Sequence, residues 1–401
     1  MERLKRLFPG TSEVEDGELT VGGVRASDLA DEFGTPLLVY CEQTIRAHAR
    51  AYREAAPDAL AVYGAKAFPN VAVMRLLAEE GLGADVSTLG ELRFAQRAGV
   101  PAERIVVHGN NKSDEELQAA AEAGAAYVVL DSVEELGRAR EAGVERMLIR
   151  IAPGIEAQTH EAIRTGHAGS KFGVTPVEAL GLRDDVEGLH VHIGSQLLSL
   201  DDARATVAWL NGFVEQSGWA PEVVDLGGGL GVPTAPGERA PSIEEFVGTL
   251  LGELQLQARL VLEPGRSLVG RAGVTIYRVG SVKGRWVAVD GGMSDNPRPQ
   301  LYGARYTAIL ASRAEEEPQG TYAVAGKHCE SGDVMIDGVG LPQPRRGDLL
   351  AVPSTGAYTL GMGSNYNAVL RPAAVLVADG DARVIRRRET VEDLLGLEAP
   401  E

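Results

Sequence analysis

Lys66 is the residue whose surroundings first suggest chemistry. It lies between Ala65 and Ala67, directly after the apolar run Leu60-Ala61-Val62-Tyr63. A surface lysine is one interpretation, but a lysine set between two alanines at a strand end has little reason to be there unless its amine is used. Because lysine amines form Schiff bases with carbonyl compounds, Lys66 suggests covalent catalysis.

A glycine run later in the chain offers a second functional feature. The sequence Asp225-Leu226-Gly227-Gly228-Gly229-Leu230-Gly231 places bare backbone amides just past a predicted strand. Such amides suit an anion such as phosphate, although a tight turn explains the glycines equally well. Taken with Lys66, the run suggests a phosphorylated aldehyde cofactor held as a Schiff base.

Histidines and cysteines were considered as metal ligands. His190 and His192 lie two apart on a predicted strand and so face one side, a spacing that suits a metal. We find no further His-rich strand end or paired carboxylate to supply the remaining ligands, and we therefore expect no metal. Cys41 and Cys329 are the only cysteines, too few for a disulfide framework or a cysteine cluster, and each alone is typical of a buried thiol.

The elements that must position these residues repeat along the first two thirds of the chain. Apolar runs marked by Ala61, Gly83, Ile105, Tyr127 and Met147 follow one another at steps of 22, 22, 22 and 20 residues, and three more contain Leu189, Val223 and Leu260. The intervening helices are predicted to end at left-handed glycines and to begin with capping boxes. The glycines are Gly81, Gly99, Gly124 and Gly143, and the boxes begin at Thr88, Ser113, Ser132, Thr175 and Ser242.

Eight buried strands alternating with helices predict an α/β fold, a (β/α)8 TIM barrel. Such a barrel gathers the carboxyl ends of its strands, where this chain carries unusual residues. These are Lys66, Asp85 with Ser87, His108 with Asn110 and Asn111, His192 with Ser195, the glycine run and Glu263.

The pattern changes to short β-type runs after Gly265, which predicts a mostly β carboxyl-terminal domain. The segment before residue 40 is also partly strand-like and is expected to complete that domain. The predicted organisation is an amino-terminal segment over 1–41, a barrel over 42–271 and the β domain over 272–401.

Charge and hydropathy exclude several classes of partner. The 401 residues include 39 Lys plus Arg against 57 Asp plus Glu, a net charge of −18 that repels a nucleic-acid backbone. No stretch approaches the roughly 20 apolar residues of a membrane span, and the first residues lack the apolar run of a signal peptide. We therefore expect a cytoplasmic protein with a small-molecule substrate.

Short motifs throughout the chain carry a family resemblance. They include Tyr63-Gly64-Ala65-Lys66-Ala67-Phe68, His108-Gly109-Asn110-Asn111-Lys112-Ser113, His192-Ile193-Gly194-Ser195-Gln196, Glu263-Pro264-Gly265-Arg266 and Cys329-Glu330-Ser331-Gly332-Asp333. The sequence resembles the fold-type III pyridoxal-phosphate-dependent decarboxylases, whose barrel is of the alanine racemase type. The Cys329 motif has the form of members that convert meso-2,6-diaminopimelate to L-lysine and carbon dioxide.

The resemblance implies a role for each site residue. Lys66 would bind pyridoxal 5'-phosphate, His192 would stack on its ring, Glu263 would face its pyridine nitrogen, and Tyr358 would touch cofactor and substrate. The remaining cofactor-binding positions implied are Asp85, Ser195, Gly227, Gly228, Gly229, Gly265 and Arg266. Arg266, Arg298 and Tyr302 would hold the distal carboxylate of the substrate and Glu330 its distal ammonium.

The family also implies a homodimer with shared active sites, because the loop bearing Cys329 reaches the partner's barrel. Cys329 then becomes the acid that protonates the carbanion left by decarboxylation. Two alternatives stay open: a decarboxylase of ornithine, arginine or a carboxy-polyamine, and a non-catalytic cofactor-binding barrel. Glu330 and Arg298 argue against the first, and Lys66 with Cys329 against the second.

Overall fold

A computed structural model describes residues 2–154, 170–192 and 194–399, so Ile193 of the His192 motif lies outside the described residues. The chain divides into two compact units. One contains Arg46–Val232 and Arg239–Leu268, and the other contains Met1–Ile45, Pro233–Glu238 and Val269–Glu401. We call them the barrel unit and the β unit.

The amino-terminal elements belong mostly to the β unit. Strands β1 (Glu13–Glu15), β2 (Glu18–Val21) and β3 (Val24–Arg25) form a small antiparallel sheet of their own. Helix α1 (Ala26–Phe33) then leads to the fully buried strand β4 (Leu37–Cys41). Cys41, at the end of β4, is a buried thiol as predicted, with its Sγ 3.1 Å from Thr44 Oγ1.

Eight parallel strands close into a barrel, which confirms the predicted fold class. They are β5 (Leu60–Gly64), β6 (Gly83–Val86), β7 (Ile105–Val107), β8 (Tyr127–Leu130), β9 (Met147–Ile151), β10 (Gly188–Val191), β11 (Val223–Asp225) and β12 (Arg259–Leu262). Each strand pairs with the next in sequence, and β12 closes on β5. Val62, Val106, Leu148 and Val261 are among the buried residues that fill its core. The continuous apolar runs follow from burial of these strands on both faces.

Helices accompany the barrel strands. They are α2 (Glu42–Ala55), α3 (Val71–Glu79), α4 (Leu89–Ala98), α5 (Asp114–Ala123), α6 (Glu135–Glu141), α7 (Pro176–Gly181), α8 (Asp201–Ser217), α9 (Ile243–Glu253) and α10 (Arg266–Val269). The four predicted helix-ending glycines all have positive φ, between 67° and 86°. Within the part of the chain described here, no helix is long and apolar enough to cross a membrane.

The predicted capping boxes are partly confirmed. Complete boxes form at Ser113, Thr175 and Ser242. Thr88 caps α4 through its side chain, but the Glu91 carboxylate accepts from the Ser87 amide instead of closing the box.

The box predicted at Ser132 is wrong. The Ser132 side chain does accept from the Glu135 amide, but α6 begins only at Glu135. The Glu135 carboxylate accepts from the Asp131 amide and pairs with the buried amine of Lys112, so it is not available to the Ser132 backbone.

The carboxyl-terminal part of the β unit is built on one mixed sheet. Its elements are β13 (Gly273–Lys283), β14 (Trp286–Val289), α11 (Arg298–Tyr302), β15 (Ile309–Leu310), β16 (Gly320–Ala325), β17 (Val334–Leu341), β18 (Leu349–Pro353), β19 (Ala373–Ala378), β20 (Asp381–Arg386) and α12 (Val391–Leu395). Strand β4 lies between β13 and β19, antiparallel to the first and parallel to the second. The amino-terminal segment therefore completes this domain, as predicted.

Candidate active site

Lys66 lies one turn past β5 and is paired with a buried carboxylate on the neighbouring strand. Its Nζ donates to Asp85 Oδ2 at 2.6 Å. Asp85 on β6 is 1% exposed, whereas the Lys66 side chain is 46% exposed. The Asp85 carboxylate thus fixes the position of the amine, while the partly exposed side chain stays accessible to an incoming molecule.

Glu263 follows β12 directly and is bound by a histidine from across the barrel. His108, the residue after β7, donates from Nε2 to Glu263 Oε1. Burial acts to raise the pKa of Glu263, but that pKa lies well below its usual range, and the His108 ring is the largest of the effects that lower it. Glu263 is therefore an ionised carboxylate inside the barrel.

His190 and Asp225 complete a buried cluster with His108 and Glu263. One polar atom from each of the four lies within 4.8 Å of the others. His190 Nε2 is 3.3 Å from Glu263 Oε2, but within the described residues neither ring nitrogen has a hydrogen-bond partner. Burial lowers the pKa of His190 to about 3, so its ring is neutral. Burial, with Glu263 adding, raises the pKa of Asp225 well above its ordinary value.

This cluster corrects one step of the sequence argument about metals. The remaining ligands that seemed to be missing are present, because His108, Asp225 and Glu263 surround His190. His192, with which His190 was paired in the sequence argument, is not a member of this group. The expectation of no metal stays a prediction, although its stated reason is wrong.

His192 lies beside the glycine run. Its Nδ1 accepts from the Gly228 amide at 3.3 Å. Burial, with the cations Arg150 and Lys66, lowers the pKa of His192 well below its usual range. The imidazole is therefore neutral and held through its Nδ1 edge.

The three glycines are required by close packing. A Cβ on Gly227 would lie 2.6 Å from His192 Nδ1, and one on Gly228 would lie 2.3 Å from the Glu263 carbonyl oxygen. Gly227 also has a φ of 63° and donates its amide to Asp225 Oδ1 at 2.8 Å. The amides of Gly227 and Gly228 are therefore already engaged. Among the described residues, the Gly229 amide donates no hydrogen bond, whereas its carbonyl accepts from the Leu197 amide.

Ser195 and Arg266 join the same end of the barrel. Arg266 begins α10 just after Gly265, is 7% exposed and donates from Nη2 to Ser195 Oγ at 3.2 Å. A buried guanidinium beside a hydroxyl is a suitable partner for a phosphate or carboxylate.

The other predicted site residues belong to the β unit. Arg298 is 4% exposed at the start of α11, where it donates from Nη1 to Tyr306 Oη at 2.7 Å, and Tyr302 ends the same helix. Tyr358 has a φ of 56°, which is strained for a side chain of this size. Such strain is typical of residues that a functional site constrains.

Cys329 and Glu330 are exposed on a loop that buried groups hold in shape. Asp333 accepts from the His328 amide at 3.0 Å and lies 2.7 Å from His328 Nδ1. The Cys329 amide donates to Asn367 Oδ1 at 2.9 Å. The loop backbone is anchored while the thiol and carboxylate remain exposed.

Sequence reasoning missed the parts played by His108, Asp225 and Arg150. Arg150 is a buried cation in the apolar strand β9, 3.9 Å from Asp131 and stacked 4.5 Å from the Phe172 ring. The signal was available, since Asp225 and Arg150 are charged residues within otherwise apolar strands.

Known proteins resemble this chain over nearly its whole length. The family model described as "Pyridoxal-dependent decarboxylase, pyridoxal binding domain" matches residues 42–270. The diaminopimelate decarboxylase of Actinosynnema pretiosum is 46% identical, with 97% of this chain and 94% of that protein covered. The enzyme of the same name from Bacillus subtilis is 40% identical, with 98% of each chain covered. The crystal structure of diaminopimelate decarboxylase from M. jannaschii in complex with L-lysine has a TM-score of 0.90 at 33% identity, covering 97% of this chain and 98% of the other.

Proposed function

The chain belongs to the diaminopimelate decarboxylase family of pyridoxal-dependent decarboxylases, and we propose on that premise how its residues perform the reaction. It removes carbon dioxide from meso-2,6-diaminopimelate to give L-lysine, the last step of lysine biosynthesis. The observation that carries this function is Lys66, exposed at the mouth of a barrel whose relatives over nearly the full chain bear that name.

The barrel residues fit pyridoxal 5'-phosphate. One end of the barrel carries the accessible amine of Lys66, the ionised buried carboxylate of Glu263 and the glycine run, which is packed too closely to admit a Cβ. These match the cofactor's aldehyde, pyridine nitrogen and phosphate. When bound, the cofactor supplies an electron sink for the pair left behind by departing carbon dioxide.

We assign the cofactor contacts accordingly. Lys66 bonds covalently through Nζ, with Asp85 holding that amine before the cofactor arrives. Glu263 keeps a proton on the pyridine nitrogen, and the neutral face of His192 packs against the ring. Gly229, Gly265, Ser195 and Arg266 bind the phosphate, whereas Gly227 and Gly228 contribute mainly by lacking side chains.

Substrate recognition is assigned to three charged residues and two tyrosines. Arg266, Arg298 and Tyr302 bind the distal carboxylate, Glu330 binds the distal ammonium and Tyr358 contacts substrate and cofactor. Arg298 supports this role because its Nε, although buried, has no hydrogen-bond partner among the described residues. Arg298→Met should therefore raise KM by roughly tenfold or more, while the exposed Arg305→Met should leave KM unchanged.

Cys329 is proposed as the proton donor, acting in the barrel of a second copy of the chain. The carboxylate would leave as carbon dioxide, and the α carbon would take in its place the proton of Cys329 Sγ, which would leave a thiolate on Cys329. The exposure of Cys329 on an anchored loop supports a homodimer with shared sites. A cytoplasmic location stays a prediction.

Product analysis tests the function. Holoenzyme incubated with meso-diaminopimelate should release carbon dioxide and L-lysine in equal amounts, with little turnover of ornithine, arginine or a carboxy-polyamine. Preference for one of those substrates would contradict the assignment. A borohydride-sensitive absorbance without activity on any amino acid would instead favour a non-catalytic barrel.

A further inference from the structure

The buried cluster of His108, His190, Asp225 and Glu263 draws one residue each from β7, β10, β11 and β12 or the position just after the strand. All four are at most 7% exposed. The assignment of Glu263 uses only one of them. The other three must therefore be explained by what they do to that carboxylate.

His108 makes the directional contact. Its backbone amide donates to the Val86 carbonyl at 2.8 Å, and its ring meets the His190 ring edge-on with centroids 4.8 Å apart. The ring is thus held from two sides with Nε2 directed at Glu263 Oε1. Because an ionised carboxylate only accepts, His108 Nε2 carries the proton in this contact.

In the part of the chain that the structure describes, neither His190 nor Asp225 makes an aligned hydrogen bond to Glu263. His190 lies near the other Glu263 oxygen without the alignment of a hydrogen bond, and burial keeps its ring neutral, with a pKa of about 3. Asp225 gives one oxygen to the Gly227 amide, and burial beside Glu263 favours its uncharged form by raising its pKa. Among the described residues, His108 is the cluster member whose ring makes an aligned hydrogen bond to Glu263.

Further charged groups lie around the cluster and act electrostatically on its members. Asp85 Oδ1 lies 4.0 Å from His108 Nε2, and Arg150 acts electrostatically on His190, His192 and Glu263. Lys66 lies beyond Asp85, and His192 beyond His190. Asp85 and Lys66 pair with each other, so His108 remains the nearest hydrogen-bonded partner of the Glu263 charge.

We propose that His108 is a positioning residue that fixes the rotamer and the charge of Glu263, and thereby the protonation of the cofactor's pyridine nitrogen. The inference rests on the proposed function, since it gives Glu263 the cofactor nitrogen as its partner. It adds a residue that touches neither substrate nor cofactor.

Two substitutions of similar polarity separate this role from general packing. In His108→Gln the side-chain amide nitrogen can occupy the place of Nε2, while in His108→Asn it falls one methylene short. His48→Gln is the control, since His48 is a half-buried histidine of the same unit whose ring contacts the Leu268 carbonyl.

The measurement is the 15N NMR shift of holoenzyme loaded with pyridoxal phosphate labelled at the ring nitrogen, alongside kcat and KM. Wild type, His48→Gln and His108→Gln should show a protonated nitrogen. His108→Asn should move the shift toward neutral pyridine and lower kcat by roughly ten- to a hundredfold with little change in KM.

Equal shifts in the Gln and Asn variants, both like wild type, would overturn the role of His108 while leaving that of Glu263 intact. A neutral nitrogen in wild type would instead contradict the Glu263 assignment itself. One equivalent of tightly bound metal in active wild type, lost with His108→Asn, would make the cluster a metal site and would also overturn the proposal.

Discussion

Glu263 and Asp225 are two carboxyl groups of one cluster for which the structure predicts opposite sensitivities to loss of charge. Both are buried, and each can be replaced by its amide with almost no change in volume. Histidine rings lower the pKa of Glu263, while burial raises that of Asp225. Glu263→Gln removes a charge that is present, whereas Asp225→Asn removes one that is already absent.

The size of the difference follows from the contacts. The ionised Glu263 carboxylate is assigned a charge-assisted hydrogen bond to the protonated cofactor nitrogen, which the neutral amide of Gln cannot replace, and such bonds contribute about 1.5–3 kcal/mol. At about 1.36 kcal/mol per tenfold, its loss should lower kcat about 10- to 150-fold. The Asp225→Asn variant would keep a side-chain oxygen for the Gly227 amide, so its kcat should fall roughly threefold or less.

The assay is carbon dioxide release from meso-diaminopimelate at saturating substrate, after equal cofactor content and similar melting temperatures have been verified. The kcat of Asp225→Asn should exceed that of Glu263→Gln by roughly threefold to 150-fold. Equal losses, or a larger loss in Asp225→Asn, would refute the charge assignment within the cluster.

Three other outcomes are expected. Lys112→Met should lower the free energy of unfolding of the holoenzyme by about 3–5 kcal/mol in chemical denaturation, because it leaves the buried Glu135 unpaired. Arg204→Gln breaks an exposed ion pair and should lower it by about 1 kcal/mol or less. Similar losses in the two variants would contradict this prediction. Burial raises the pKa of Asp295 to about 6, so the folded state binds its proton more tightly than the unfolded state does, and the stability this group contributes is lost as pH rises from about 4 to about 6. The free energy of unfolding of Asp295→Asn should therefore rise by about 3 kcal/mol relative to that of wild type between about pH 4 and about pH 7.5. Parallel pH curves of stability for the two proteins would count against this. The inactive Lys66→Ala and Cys329→Ala variants should together regain about a quarter of wild-type activity once their subunits exchange, because half the dimers are mixed and each mixed dimer has one intact site. If subunit exchange is demonstrated and no activity returns, shared sites are ruled out.

Most of the fold could be predicted because each barrel strand is buried on both faces and its helices carry local start and stop signals. Leu189, Val223 and Leu260 lie in strands as expected, and Gly99 and Gly124 end their helices in the left-handed conformation. Ser132 shows the limit of such local reasoning, because Glu135 is drawn away by a lysine from a different part of the chain.

The cluster around Glu263 could not be predicted, since its four members come from four strands and their side-chain directions depend on the closed barrel. The sequence identifies His108 as a strand-end residue and His190 as one of a histidine pair, but the partner of each lies across the barrel. The glycine run shows the same limit, because its composition does not reveal that Asp225 and His192 occupy two of its amides.

Borohydride reduction of the holoenzyme, followed by peptide mapping, tests most directly that Lys66 binds the cofactor. The chain offers Lys5, Lys112, Lys171, Lys283 and Lys327 as internal controls. We predict a pyridoxyl adduct on Lys66 alone, with loss of decarboxylation in proportion to its formation. An adduct on another lysine of active enzyme, with Lys66 unmodified, would contradict the account.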